Sequence, residues 1–261
     1  MVVKVIGALF KIPLANILGG VGMSYFVSAY DIFTPIYSLT VTGLSVAVSR
    51  VVSEAVVSGG RDTLGHVLGA ARRIFFALGI LGAILLTLFA RGFAGVINNP
   101  GAAASIYAIA PAIFFSCLTA AYRGYYQGLS NMIPTAKSQV LEAVAKLVVG
   151  TALSFGVTRY LQQAFLRTGT VLGHAAATPA EANLWIFQYS AAAAVLGVTV
   201  STAVGALYMR LAFRAGGGRI IRPAQQRDRL QQRDIGRRLL SIAIPISLAT
   251  PVVNLPSIID L

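Results

Sequence analysis

The sequence predicts an all-α, polytopic helical membrane protein, on three observations. Only 11% of its 261 residues are charged while 56% are hydrophobic, and the mean hydropathy is +0.76, a balance that water-soluble domains do not show. Apolar runs of about 20 residues, enough to cross a hydrocarbon core of roughly 30 Å, recur along the whole length. These runs are too long and continuous for barrel strands, and lipid leaves helices as the other way to satisfy the backbone.

There are seven apolar segments. Segment 2–18 carries Lys4, Lys11 and Pro13; the interruption by Lys11 and Pro13, with no small-residue cleavage site ahead of a soluble domain, reads as a retained anchor rather than a cleavable leader. Segment 24–52 holds Asp31 and Pro35 and ends at Arg50 and Glu54. Segment 74–90 begins directly after Arg72 and Arg73. Segment 105–126 contains Pro111 and Cys117, the single cysteine, which reads as a buried, inert thiol. Segment 139–160 opens on Gln139, Glu142 and Lys146, and segment 184–208 completes a six-helix N-terminal lobe over residues 1–209. Segment 239–261 contains IAIPISLATPVVNLPSIIDL. Its Pro245, Pro251 and Pro256 each remove a backbone donor, so a bent or broken gating helix is expected. The sequence stops at Asp260 and Leu261 without a polar flank, which is expected of the N-terminal part of something longer, here the start of a second lobe.

Between the lobe and the last segment runs a linker, residues 210–238. It holds nine arginines against Asp228 and Asp234, a local excess of +7 within a net charge of +13. A nucleic-acid patch and a basic cytoplasmic loop both fit such a run. In a membrane protein the loop is the better reading, because each cation lying against anionic lipid headgroups contributes about 1 kcal/mol. With the N-terminus inside, the inner loops hold Arg61, Arg72, Arg73, Lys137 and this linker, and the outer loops hold Arg91, Arg159 and Arg167. That asymmetry predicts a cytoplasmic N-terminus.

No enzyme signature is present. His66 and His174 lack ligand spacing, no phosphate-binding glycine loop occurs, and neither a metal nor a cofactor is expected. The chemistry lies in ionisable groups at or inside the spans: Lys4, Lys11, Asp31, Arg50, Glu54, Arg123, Glu142 and Lys146. Such groups cost several kcal/mol in lipid unless paired or wetted. Lys4 and Lys11 are two turns apart and share a helix face; Lys4 is close enough to the terminus to snorkel to the headgroups, whereas Lys11 is deeper. Asp31 fits either a water-reached interfacial residue or a substrate or ion site. Arg50 and Glu54, at i and i+4, form an interfacial ion pair. Arg123 and Gln127 lie one turn apart before GLSNMIPT, whose Pro134 suits the first turn of the next helix. Gln139, Glu142 and Lys146 then repeat at i, i+3 and i+7. Glu142 and Lys146 can neutralise each other, or the stripe can line a cavity.

At KVIGALFKIPLANILGGVGMSYFVSAYDIFTPIYSLTVTGLSVAVSRVVSE and in the block YRGYYQGLSNMIPTAKSQVLE, the sequence resembles the stage V sporulation protein B and polysaccharide-export branch of the multidrug/oligosaccharidyl-lipid/polysaccharide flippase superfamily. The resemblance implies two six-helix lobes plus a tail pair around a central cavity that alternates between membrane faces. Residues 1–261 then comprise the first lobe, the linker and the seventh span. It further implies a bacterial inner-membrane protein of the cell envelope moving lipid-linked oligosaccharide, polysaccharide or peptidoglycan precursors, with first-helix cations at the substrate's phosphates; Lys4 and Lys11 match such positions. Possible partners are envelope-synthesis enzymes. A cation-coupled multidrug or small-molecule exporter of the same fold is the alternative, weakened because residues 2–18 contain no acid. An envelope-assembly scaffold without transport is the alternative of another class.

Overall fold

The computed structural model describes residues 2–57, 61–172, 174–175, 178–216, 235–243 and 245. The described residues are almost wholly helical. Helix α1 (Val2–Tyr37) continues through a π-helical segment (Ser38–Thr42) into α2 (Gly43–Val57). Next come α3 (Arg61–Leu88), α4 (Ala90–Val96), a short 3₁₀ turn (Pro100–Ala102) and α5 (Ala103–Gly128). Helix α6 (Ile133–Ala145) passes through a second π-helical segment (Lys146–Gly150) into α7 (Thr151–Thr168). A two-residue hairpin, β1 (Thr170–Val171) and β2 (His174–Ala175), leads to α8 (Pro179–Gly216), and α9 covers 235–243.

Among the described residues five helical stretches are long and apolar enough to cross a membrane: Val5–Tyr37, Leu64–Leu88, Pro100–Gly128, Ile133–Thr168 and Pro179–Gly216. The expected first and second segments, 2–18 and 24–52, are therefore not separated by a loop. They are joined at Gly19, whose φ of 61° and ψ of −170° interrupt the helix. That backbone region is open essentially to glycine alone, so the change of direction is written in the LGGVG sequence. Of the expected gating prolines, Pro245 is exposed in a helical backbone. Pro251 and Pro256 lie outside the described residues, as does most of the 210–238 linker.

The chain forms two compact units. The first comprises Met1–Phe33, Ala83–Ala112 and Val140–Val204. Its core includes Phe10, Leu14, Leu18, Ile106, Ile109 and Ile186, all at most 2% exposed, and a run of rings in which Phe10, Phe26, Tyr30 and Phe33 succeed one another at centroid distances of 6.0, 4.9 and 6.2 Å. Small polar groups tie its helices together where lipid offers no partner: Thr199 Oγ1 donates to the Ala108 carbonyl at 2.6 Å, Thr158 Oγ1 to Ser190 Oγ at 2.7 Å, and Asn99 Nδ2 to Ser28 Oγ at 3.0 Å. Gly150 and Gly197 bring the second π segment and α8 into backbone contact, with no room for a Cβ on Gly197.

The second unit comprises Thr34–Gly82, Ile113–Gln139 and Gly205–Leu261. Here α2 lies against α5 through Gly124 and Gly128, where an added Cβ would stand 2.7 Å from the Ser45 carbonyl oxygen and 2.6 Å from that of Ser49. The spacing G-x-x-x-G sets both glycines on one face and lets the backbones close up. Ser45 Oγ donates to the Ala120 carbonyl at 3.0 Å and Ser53 Oγ to that of Gly128 at 2.9 Å, fastening the same contact. Tyr122 and Tyr125 pack on Phe213 of α8 at 5.6 and 5.7 Å.

Candidate functional site

Within the first unit, α1 and the second π segment bring charged side chains together inside apolar spans. The ammonium of Lys146 stands 5.6 Å from the ring centres of both Phe10 and Tyr30. The charges of Lys11 and Glu142 both act on it. Phe10 is buried at 2% exposure, so the two rings take the place of water beside the cation, an arrangement worth about 2 kcal/mol when desolvated. The hydroxyl oxygen of Tyr30 is buried with no hydrogen-bond partner among the described residues. Two cations against one carboxylate leave the cluster positive. An anionic group brought here would meet Lys11 and Lys146 as point charges and the Tyr30 hydroxyl as a donor.

The backbone contributes to this placement. Lys146 is the first residue of the π segment, Lys146–Gly150. A π turn takes up extra chain relative to an α turn and rotates the face presented by the helix beyond it, which is why such segments recur at functional sites. Its other end, Gly150, lies against Phe10, whose Cε2 would be 2.9 Å from a Cβ there. The same small residue thus seats the ring that faces the lysine.

The remaining expected residues fall elsewhere. Lys4 belongs to α1, with its side chain outside the described residues, and Asp31 is exposed on that helix beside Tyr30. Arg123, Gln127 and Gln139 belong to the second unit. There Arg123 donates from Nε and Nη2 to Ser138 Oγ at 3.3 and 3.0 Å, and Ser138 in turn donates to the Thr135 carbonyl at 3.0 Å. Gln127 is half-buried and Gln139 exposed. Asn131 Oδ1 accepts from the Ile133 amide at 3.3 Å and so starts α6, with Pro134 in its first turn. Of the stripe, Gln139 and Glu142 lie on α6 and Lys146 opens the π segment that continues it, with Gln139 exposed and the other two half-buried.

Arg50 Nε lies 3.3 Å from Glu54 Oε1, and Arg238 Nη2 reaches Glu54 Oε2 at 2.8 Å. The ion pair is thus a three-membered group fixing α9 to α2. Among the described residues no three His, Cys, Asp or Glu side chains converge as a metal site would require.

Several contributors are absent from the set that the sequence singled out: Phe10, Tyr30, Ser138 and Arg238. Phe10 and Tyr30 immediately precede Lys11 and Asp31, but adjacency in a helix points side chains in different directions, so the charged neighbour gave no guide. The spacing of Gly124 and Gly128 was a usable signal within the polar block.

Long apolar helices with charged groups drawn inside the spans define a multi-pass α-helical membrane protein. It is similar to proteins of a bacterium. It is 30% identical over 148 residues to Stage V sporulation protein B of Bacillus subtilis, covering 56% of this chain and 29% of the relative. It is 26% identical over 161 residues to Lipid II flippase MurJ of the same organism, covering 58% and 30%, and 26% identical over 179 residues to the uncharacterized membrane protein YabM, covering 66% and 33%. The resemblance to the multidrug/oligosaccharidyl-lipid/polysaccharide flippases is borne out by these homologues. The chain spans about a third of the length of the curated relatives it matches. No family model and no solved structure matches it.

Proposed function

We propose that the chain is part of a flippase that carries a lipid-linked, phosphate-bearing saccharide or peptidoglycan precursor across a bacterial inner membrane by alternating access. The observation that carries this reading is the ammonium of Lys146 seated over Phe10 and Tyr30 within apolar spans, with the exposed Lys11 adding a second positive charge that acts on it. Charge kept at such a cost is retained for a ligand or a path. A pyrophosphate supplies the missing anion, and Lys11, the more exposed of the two cations, is the one to meet it first. A relative named as a lipid II flippase supports the same substrate class. A cation-coupled drug exporter fits less well, because its coupling cation would meet like charge here.

Binding of fluorescent undecaprenyl pyrophosphate to the purified chain tests the reading. Saturable binding that Lys11→Ala weakens roughly tenfold or more, and Lys11→Arg partly restores, is the expected result. Equal binding by wild type and Lys11→Ala, or preferential binding of a lipophilic cation, would replace the flippase reading by the exporter or scaffold reading.

A further inference from the structure

In the second unit α3 and α5 close up at two glycines and open beyond them. A Cβ on Gly82 would stand 3.0 Å from Ile113 Cγ2, and one on Gly79 3.1 Å from Phe114 Cα. Toward the start of α3, Gly69, Arg72, Arg73 and Phe76, with Leu118 of α5, line a groove of about 400 Å³. Phe76 stands edge to face against Phe114, centroids 5.4 Å apart at 77°, and keeps 50% of its surface exposed. Arg72 and Arg73 are exposed at the groove's mouth, and neither guanidinium has an acidic partner among the described residues. In the sequence they directly precede the apolar run that begins at residue 74, where cations that meet headgroups are expected. Below them Phe76, Ile80 and Leu81 continue an exposed apolar strip along the same helix.

Two exposed arginines in the lining of a groove that also carries Phe76 and Leu118 match one kind of molecule. We propose that this groove is a binding site for an anionic phospholipid, with the phosphate held in the forks of Arg72 and Arg73 and an acyl chain laid along Phe76 and Leu118. Arginine suits the role because its planar fork meets two phosphate oxygens at once. Gly69 leaves the trough without a side chain on one wall. A free phosphate would use the mouth alone, so the apolar lining is what selects a lipid. The groove shares no residue with Lys11 and Lys146 and stands whether or not the flippase reading holds.

The test uses the purified 261-residue chain in detergent, with dioleoyl phosphatidylglycerol, dioleoyl phosphatidylcholine and inorganic phosphate as probes, read by native mass spectrometry and thermal shift. Phosphatidylglycerol should remain bound and raise the melting temperature, with the other two far weaker. Arg72→Gln with Arg73→Gln should lower its apparent affinity roughly tenfold or more, while Arg210→Gln with Arg214→Gln, which removes the same charge elsewhere, should stay within about twofold. Equal losses in the two double variants would reduce the effect to bulk charge and overturn the proposal. Phosphate matching the lipid would overturn it as well. Should the Arg72/Arg73 variant fail to accumulate, Gly69→Leu with both arginines kept decides: undiminished lipid affinity there would remove the groove from the account.

Discussion

The ammonium of Lys146 lies 5.6 Å from the centre of the Tyr30 ring and equally far from that of Phe10, with Lys11 and Glu142 acting on it. The lysine thus faces two rings of α1, while the Glu142 carboxylate stands one turn earlier on its own helical run.

This arrangement separates structural from functional use of the pair. If Glu142 only neutralises Lys146, then Glu142→Gln and Lys146→Met each leave an uncompensated charge or lose the ring contacts, at about 2 kcal/mol or more, and the double variant recovers. If the cluster serves an anionic substrate, the single variants stay abundant, substrate binding falls, and the double variant does not restore it. The second outcome is expected, because Lys146 already has aromatic support. A double-mutant cycle scoring abundance and undecaprenyl pyrophosphate binding separately checks it, and joint recovery would withdraw Lys146 from the site.

Tyr30 offers a sharper contrast. Its buried hydroxyl has no partner among the described residues, so Tyr30→Phe should leave thermal stability unchanged or raise it by up to about 1 kcal/mol. Tyr30→Ala removes the ring from between Phe26 and Phe33 and should cost about 3 to 5 kcal/mol. If Tyr30→Phe weakens pyrophosphate binding without loss of stability, the hydroxyl is a donor to the ligand. Unfolding of detergent-solubilised protein monitored by circular dichroism gives both stabilities.

The contact of α2 with α5 depends on Gly128. A Cβ there would stand 2.6 Å from the Ser49 carbonyl oxygen and 2.6 Å from Val52 Cβ. Neither is a flexible chain end, so Gly128→Ala should destabilise by about 1 to 3 kcal/mol. Gly156, where an added Cβ meets nothing within 4 Å, is the matched control: Gly156→Ala should be neutral or stabilising by up to about 1 kcal/mol. Equal effects at the two positions would show that packing at Gly128 is not limiting.

Orientation is open to direct labelling. In a Cys117→Ser background, single cysteines at Asn98 or Ala175 should react with an impermeant thiol reagent applied outside intact cells, and one at Gln226 should not. The reverse pattern would place the N-terminus outside and invert every assignment of side.

The fold class was open to sequence reasoning because it depends on a sum: spans of apolar residues fix helices in lipid whatever their neighbours do. The turn at Asn131 to Pro134, the Arg50 and Glu54 pair and the candidate status of Lys11 and Lys146 came the same way, from local spacing and from the cost of charge in hydrocarbon. Tertiary structure decided which groups those charges meet. Lys146 and Glu142, one turn apart, invited a local pair, yet Phe10 and Tyr30 come from a helix more than a hundred positions earlier, and no periodicity links them. Arg238 reaches Glu54 across 184 positions for the same reason. Gly19 could have been flexible packing or a break; only its φ and ψ distinguish the two. Spacing along a helix determines which residues share a face, whereas the neighbour that face meets depends on how distant segments pack.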